Sequence, residues 1–269
     1  MDEKKIAAMR EGGKIMGQVM QALRRHVRAG MTGREIDAWV RSEIVKRGAG
    51  VAYDMLDDNF SGAICISVND GLVHGVPDDY ELAVGDKASF DLDIFYKGYF
   101  TDSAFTMIVG EEADETAKYG EWWPGAGRGG DQVGAPAVRR MLSVTESAMW
   151  EGVEKVKAGV HLGDVGNAVE RVLRKGKLGV IENYIGHGIG KTMHEDPDVP
   201  NYGKKGTGYI LKAGDTICIE PMSSLGKPKN YTAEDGWTVK MKDGSWGCHF
   251  EHTILVLEDG HEVLTLWPN

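Results

Sequence analysis

The chain has 269 residues, 42% of them hydrophobic and 27% charged, with a net charge of −10; such a composition can bury a core and excludes a fibre or a disordered tail. The acidic balance and the lack of any basic block argue against nucleic acid as a partner, because phosphate binding draws on clustered Lys and Arg. No run approaches a membrane span and the charged opening stretch has no apolar signal core. Cys65, Cys218 and Cys248 lack disulfide or zinc-ribbon spacing, so a cytoplasmic enzyme or binding protein is expected.

Residues 3–28 carry Ile6, Met9, Ile15, Met16, Val19, Met20 and Leu23 at helical spacing, and the pattern breaks at Ala29-Gly30. A second helix starts at Thr32, with Glu35 three positions on as a capping-box partner, and runs to about Arg47. β-Branched and aromatic residues between turn signals predict antiparallel strands of one sheet over 64–73, 88–95 and 99–108. Residues 111–136 then interrupt the plan with Gly, Pro, charge and the pair Trp122-Trp123. Such a stretch reads as a surface excursion, and its tryptophans are candidates for a partner or lid contact. Helical pattern returns over 137–157 and 162–174, and strand pattern over 180–184, 216–219, 238–241 and 250–257.

The helix-helix-strand order thus occurs twice, and the two copies match residue by residue at an offset of 129. Tyr80 pairs with Tyr209, Leu82 with Leu211, Gly85-Asp86 with Gly214-Asp215, and Asp91 with Glu220; upstream, Arg28-Ala29-Gly30-Met31 pairs with Lys157-Ala158-Gly159-Val160. A period near half the chain indicates two pseudo-equivalent halves closing on one core rather than a solenoid. The expected fold class is α+β, with one two-lobed domain over 1–269 and an inserted excursion at about 111–136.

Both copies end on a carboxylate set among strand formers. Asp91 lies between Phe90 and Leu92, and Glu220 follows Ile217-Cys218-Ile219; a carboxylate buried there needs a cation or a hydrogen-bond shell. Asp102, across the Lys97-Gly98 turn from Asp91, and Glu251, leading into an apolar strand, add two more acids. His187 offers an imidazole from the Gly-rich turn Gly186-His187-Gly188-Ile189-Gly190, which lacks the third glycine and the basic helper of a phosphate loop. Asp91, Asp102, His187, Glu220 and Glu251 together form a ligand set for two divalent metals in an open catalytic site. Four negative charges match two divalent ions. Such a pair can hold one hydroxide, polarise a carbonyl and bind a free amine, which suits hydrolysis of a terminal peptide bond.

Several runs carry a resemblance. They are Cys65-Ile66-Ser67-Val68-Asn69-Asp70, Val73-His74-Gly75-Val76-Pro77, the Asp91 and Asp102 pair, the Gly-flanked His187 followed by His194-Glu195-Asp196-Pro197, Ile219-Glu220-Pro221-Met222, Asp235-Gly236-Trp237-Thr238-Val239 and Phe250-Glu251-His252-Thr253. Over nearly its whole length the chain resembles type I methionine aminopeptidases, enzymes of the pita-bread fold in which a curved antiparallel sheet is covered by helices. The resemblance implies the same five metal ligands, with Asp102 and Glu251 bridging, and a metal-bridging hydroxide as nucleophile. It implies His74, His194 and Glu220 as catalytic residues: His74 bonded to the scissile amide region, His194 near the developing oxyanion, and Glu220 as proton shuttle. It further implies a methionine-binding wall of Phe60, Cys65, Met193 and Trp237, beside His74 and His194, whose soft and aromatic surfaces suit a thioether. This chain departs from the usual pattern at residues 53–59, where Tyr53-Asp54-Met55-Leu56 replaces a Gly- and aromatic-rich stretch, and at Met193, where phenylalanine is frequent.

The activity so implied is removal of the N-terminal methionine from peptides and nascent chains with a small second residue, by a monomer acting at or near the ribosome. The metals would be cobalt, manganese, iron, zinc or nickel, since this ligand set accepts several. A proline-specific aminopeptidase of the same fold and a non-catalytic peptide-binding module are the alternatives. Against the first stands the run around Glu251, where the prolyl branch has an Arg-Ile-Glu-Asp type of sequence; against the second stands the presence of all five ligands and both histidines.

Overall fold

The two halves of the chain make the same hydrogen bonds 129 residues apart. In the computed structural model, which describes residues 2–56, 59–111 and 135–268, Gly30 N donates to Leu82 O at 2.7 Å and Gly159 N to Leu211 O at 2.8 Å. Leu82 N to Met31 O and Leu211 N to Val160 O, both 2.9 Å, complete the matching pairs. Gly30 and Gly159 adopt φ of 85° and 84°, a left-handed geometry that favours glycine. The isolated bridges Thr32 to Glu81 and His161 to Ile210 keep the same offset. The duplication read in the sequence is therefore a duplication of chain path.

Helix α1 (Glu3–His26) is capped by Asp2, whose side chain accepts from Lys4 N and Lys5 N. Its buried stripe includes Ile6, Met9, Met16, Met20 and Leu23. Helix α2 (Gly33–Lys46) starts with the expected capping box: Glu35 N donates to Thr32 Oγ1 at 3.2 Å, and Thr32 N to Glu35 Oε2 at 2.9 Å. The first half continues with β1 (Gly50–Val51), a 3-10 turn (Tyr53–Met55), β2 (Cys65–Val68), β3 (Gly71–Val73), β4 (Lys87–Tyr96) and β5 (Tyr99–Ile108). The second half has α3 (Ala135–Val153), α4 (Leu162–Lys175), β6 (Gly179–Val180), β7 (Gly186–Gly188), β8 (Glu195–Val199), β9 (Thr216–Ile219) and β10 (Met222–Ser224). It ends in β11 (Asn230–Thr232), β12 (Val239–Met241), β13 (Gly247–His249), β14 (Glu251–Val256) and β15 (His261–Val263). Of the 111–136 excursion, residues 112–134, with Trp122 and Trp123, lie outside the described residues.

Every described strand pair is antiparallel, and the largest sheet runs β1-β4-β5-β14-β9-β7-β8, with β2 added on β4 and β15 on β14. The strands do not all share one sheet. β3 pairs β12 in a three-stranded sheet with β11, and β6 pairs β10 in another with β13. The segment expected as a strand over 180–184 is a strand only at Gly179–Val180. The duplication also breaks at one point. β1 pairs β4 through Gly50↔Phe95 and Val51↔Ile94, and β6 pairs β10 through the equivalent Gly179↔Ser224 and Val180↔Ser223. In the first copy β4 is one ten-residue strand; in the second, the same path stops at Glu220-Pro221 and divides between β9 and β10, which sit in different sheets. Pro221 has no N–H to give a ladder.

The period-2 alternation of the strands sorts the chemistry. Phe90, Leu92, Ile94, Phe105, Met107, Ile217, Ile219 and Ile254 share one core cluster with Met16, Leu23, Ile36, Val40, Met141, Met149, Val165 and Val169 of the four helices. The intervening positions, Asp91, Asp93, Asp102, Cys218 and Glu251, point to the other face. One face holds the fold together, and the other is free to hold charge. Among the described residues no helix is long and apolar enough to cross a membrane.

Lys87, at the start of β4, is fully buried. Its Nζ donates to Gly71 O at 2.7 Å and Ser67 O at 3.0 Å, while Asn69, in a left-handed turn at φ 52°, exchanges hydrogen bonds with the Lys87 backbone. The lysine thereby ties down the β2–β3 turn that leads to His74. Burial pushes its pKa down to about 7. The unfolded chain holds this proton up to ~10.4, so between those values the unfolded state binds more protons and stability rises with pH. Denaturant unfolding at pH 7 and pH 10 is expected to show a gain of about 3.5 kcal/mol from this group, and the Lys87→Met protein should lack that gain. An identical pH dependence in both proteins would refute it.

Candidate metal centre

Five neighbouring strands bring the expected donors to one face, Glu220 from just past the end of its strand. The β4–β5 hairpin turns at Lys97 and Gly98, both at positive φ, and its register sets Asp91 opposite Ala104 and Asp93 opposite Asp102. β14 then pairs Glu251 with the other side of Ala104. Asp91, Ala104 and Glu251 therefore form one row across three strands, with only a methyl between the two acids. Asp102 is fixed in the next row by Thr253, whose hydroxyl accepts from Asp102 N at 3.0 Å and donates to Asp102 O at 2.8 Å. Beyond β14, β9 supplies Cys218 and leads into Glu220, whose carbonyl accepts from Asn201 Nδ2 at 3.0 Å. β7 supplies His187.

The Gly-rich turn expected around His187 is a strand. Gly186 to Gly188 pair with β8 and β9. A Cβ at Gly186 would lie 2.2 Å from Cys218 O, and one at Gly188 2.2 Å from Asp196 O, so only glycine lets three backbones approach this closely. Their role is to press His187 against the carboxylates. Its Nδ1 lies 2.9 Å from Gly188 O, which makes Nδ1–H the donor and leaves the Nε2 lone pair facing the acids. Nε2 stands 3.5 Å from Glu220 Oε1 and 3.8 Å from Asp102 Oδ2. Burial, aided by nearby His194, pushes His187 down to about 4, so it is the neutral, ligating form near pH 7.

Asp91, Asp102, Glu220 and Glu251 are each at most 9% exposed. Burial pushes all four carboxyls well above the usual range; repulsion from Asp102 adds to it for the other three, and repulsion from Asp93 adds to it for Asp102. Asp102 Oδ1 and Glu251 Oε1 are buried without any hydrogen-bond partner among the described residues. Unpaired buried oxygens of this kind are rare in native proteins and call for a cation. Within 4.8 Å of one another lie donor atoms of Asp102, His187, Cys218 and Glu251, of Asp91, His249 and Glu251, and of Asp91, Asp93 and Asp102. Hard oxygens with imidazole nitrogen fit divalent transition metals.

The structure brings the five expected donors together and adds three that sequence reasoning passed over. Asp93 lies two residues from Asp91 in the same strand, so alternation puts it on the same face, whereas His249 ends β13 and reaches Glu251 of β14 only because the chain changes sheets at Phe250. Cys218 lies within β9, and its donor atom falls among those of Asp102, His187 and Glu251. Of the expected catalytic histidines, the His194 ring is 4.4 Å from that of His187, at an interplanar angle of 73°. His74 is half-buried at φ 57°, held there by Gly75, where a Cβ would meet Ile66 O at 2.0 Å. Its ring lies 5.7 Å from that of Tyr184, and burial with His194 nearby pushes it down to about 4.

Of the four residues expected to line a methionine pocket, Phe60 and Cys65 meet at Tyr53, which was not among them, and Trp237 meets Phe60. The Tyr53 ring lies 4.4 Å from that of Phe60, tilted by 41°, and Phe60 meets Trp237 edge-on at 5.3 Å. Tyr53 Oη is 3.4 Å from Cys65 Sγ, and Tyr53 also packs against the cluster that contains Met193. Cys65 is opposite Asp91 in the β2–β4 ladder, so this wall adjoins the carboxylates. Burial and Asp91 raise the Cys65 thiol well above its ordinary pKa, which keeps it neutral.

Residues 7–258 match metallopeptidase family M24. The chain is 35% identical over 265 residues to the methionine aminopeptidase of Clostridium perfringens, across 98% of this chain and 97% of that one. The crystal structure of methionine aminopeptidase from Thermotoga maritima superposes with a TM-score of 0.87 at 32% identity, covering 99% of this chain and 98% of that one. A prolidase from Pyrococcus furiosus shares the fold at a TM-score of 0.70 and 22% identity, and this chain covers 65% of it. The donor face and the likeness over the full length lead to one assignment: the chain belongs to metallopeptidase family M24, with the methionine aminopeptidases of the pita-bread fold.

Proposed function

We propose that the protein removes the N-terminal methionine from peptides and nascent chains, and that Asp91, Asp102, His187, Glu220 and Glu251 hold two divalent cations for this purpose. The observation that carries the reading is the convergence of these donors, with orphaned oxygens on Asp102 and Glu251, beside a wall of Tyr53, Phe60, Cys65, Met193 and Trp237. Four carboxylates balance two divalent charges. Cations bound there would activate a water for attack and polarise the scissile carbonyl.

The chain's own residues do the rest. Glu220 lies at the end of β9 with both oxygens facing the centre, where it can take a proton from the attacking water and pass it to the leaving amine. His74 and His194 flank the donor face as neutral imidazoles, each able to donate one hydrogen bond to the reacting amide or its oxyanion. The apolar wall orients the methionine side chain and excludes water from it. Residues 1–269 act as one catalytic unit, since the main core cluster draws on both halves. Nascent chains leaving the ribosome supply the natural N-termini, and three free, buried cysteines suit a reducing cytoplasm.

Assay of the metal-loaded protein on Met-Ala, Met-Lys and X-Pro peptides tests this reading. Met-Ala is expected to be cleaved at least tenfold faster than Met-Lys, and X-Pro not at all. Equal rates on all three, or X-Pro as the best substrate, would overturn it in favour of a proline-specific enzyme. No turnover by protein that has taken up metal would point to a binding module.

A further inference from the structure

His249 ends β13, is 1% exposed, and has no hydrogen-bond partner at either Nδ1 or Nε2. Two idle ring nitrogens in a dry site are costly unless a group outside the polypeptide engages one of them. Nε2 stands 3.5 Å from Glu251 Oε2 and 3.8 Å from Glu220 Oε2. Those distances are too long for hydrogen bonds, which run about 2.7–3.2 Å. They approach the separation of two donors on one ion, roughly 3.0–3.4 Å when each bond is near 2.1 Å. Donor atoms of His249, Asp91 and Glu251 all lie within 4.8 Å of one another.

The backbone holds this imidazole in place. Thr106 of β5 accepts from His249 N at 3.1 Å and donates to His249 O at 2.6 Å, and Ser89 of β4 fixes the Thr106 hydroxyl at 2.8 Å. Met222 of β10 is its register partner on the other side. Three neighbouring strands thus fix the position of a side chain that has no hydrogen-bond partner among the described residues.

We infer that His249 is a sixth donor of the centre, ligating through Nε2 a cation that it shares with Asp91 and Glu251. This rests on the reading that the centre holds divalent cations. Each end of the donor face then has one imidazole: His187 beside Asp102 and Glu220, and His249 beside Asp91 and Glu251. A second nitrogen moves the site's preference from manganese toward cobalt, nickel and zinc.

Proton NMR of the cobalt(II)-loaded protein tests the assignment, because each ligating imidazole contributes one exchangeable N–H resonance shifted far outside the ordinary range. Two such signals are expected in the unaltered protein. The His249→Ala variant should keep one, and calorimetric titration with cobalt(II) should show one of the two sites weakened at least tenfold. A single signal in the unaltered protein overturns the inference and leaves the metal reading intact, even should His249→Ala fail to fold. Failure of the folded, unaltered protein to take up cobalt(II) would overturn the metal reading and the inference with it.

Discussion

Asp102→Asn is expected to lower kcat/KM by at least about a thousandfold, roughly 4 kcal/mol of transition-state stabilisation, while making the metal-free protein more stable. The two signs have one cause. Burial raises all four carboxyls, and the charge of Asp102 further raises Asp91, Glu220 and Glu251, while Asp102 itself is raised by burial and by neighbouring Asp93. A carboxyl whose folded pKa is raised holds its proton where the unfolded chain has released it, above ~4. Metal-free stability therefore falls as pH rises from about 4 toward the folded values. Removing the charge that all the others feel makes that fall shallower. Adding manganese or cobalt reverses matters, because a cation at a hundred times its Kd contributes about 2.7 kcal/mol to the folded state, and the variant has lost a central ligand. Thermal unfolding from pH 5 to 8, in chelator and in metal, reads both effects. Equal metal-induced shifts in the two proteins would remove Asp102 from the centre.

Glu220→Gln is the second large effect. A group that moves a proton in the rate-limiting step contributes about 10²–10⁴-fold, so kcat on Met-Ala should fall by that factor with KM changed much less. The glutamine keeps the size and one oxygen donor, and metal analysis of the purified variant separates a lost proton carrier from a lost ligand. Unchanged turnover with metal retained would end the shuttle assignment.

Much of this was legible from residue order. The β5 boundaries at Tyr99 and Ile108 and the Thr32–Glu35 capping box were read to the residue, because β-branched and aromatic runs or cap chemistry mark them locally. The four candidate carboxylate donors were legible because a carboxylate among strand formers is a conflict that needs a cation, and His187 because its Gly-flanked run offers an imidazole without the features of a phosphate loop. What escaped was set by partners distant in sequence. Gly186 to Gly188 have no strand propensity, and they extend only because Cys218 O and Asp196 O press from both sides. β3 looks continuous with β2, yet its partner is β12, some 170 residues on. Tyr53 stood in a stretch noted only for departing from a pattern, and its place at the pocket depends on Phe60 and Cys65 folding over it.

The break at Glu220-Pro221 gives the duplicated scaffold a division of labour. Asp91 sits in mid-strand, with ladder neighbours on both sides, Cys65 and Ala104. Its counterpart Glu220 sits where the strand has ended, its carbonyl held by the Asn201 side chain. The same position of the repeat is thus held by ladder neighbours on both sides in one copy and released from the ladder in the other, and Pro221, which has no N–H to give a strand, marks where the two copies part.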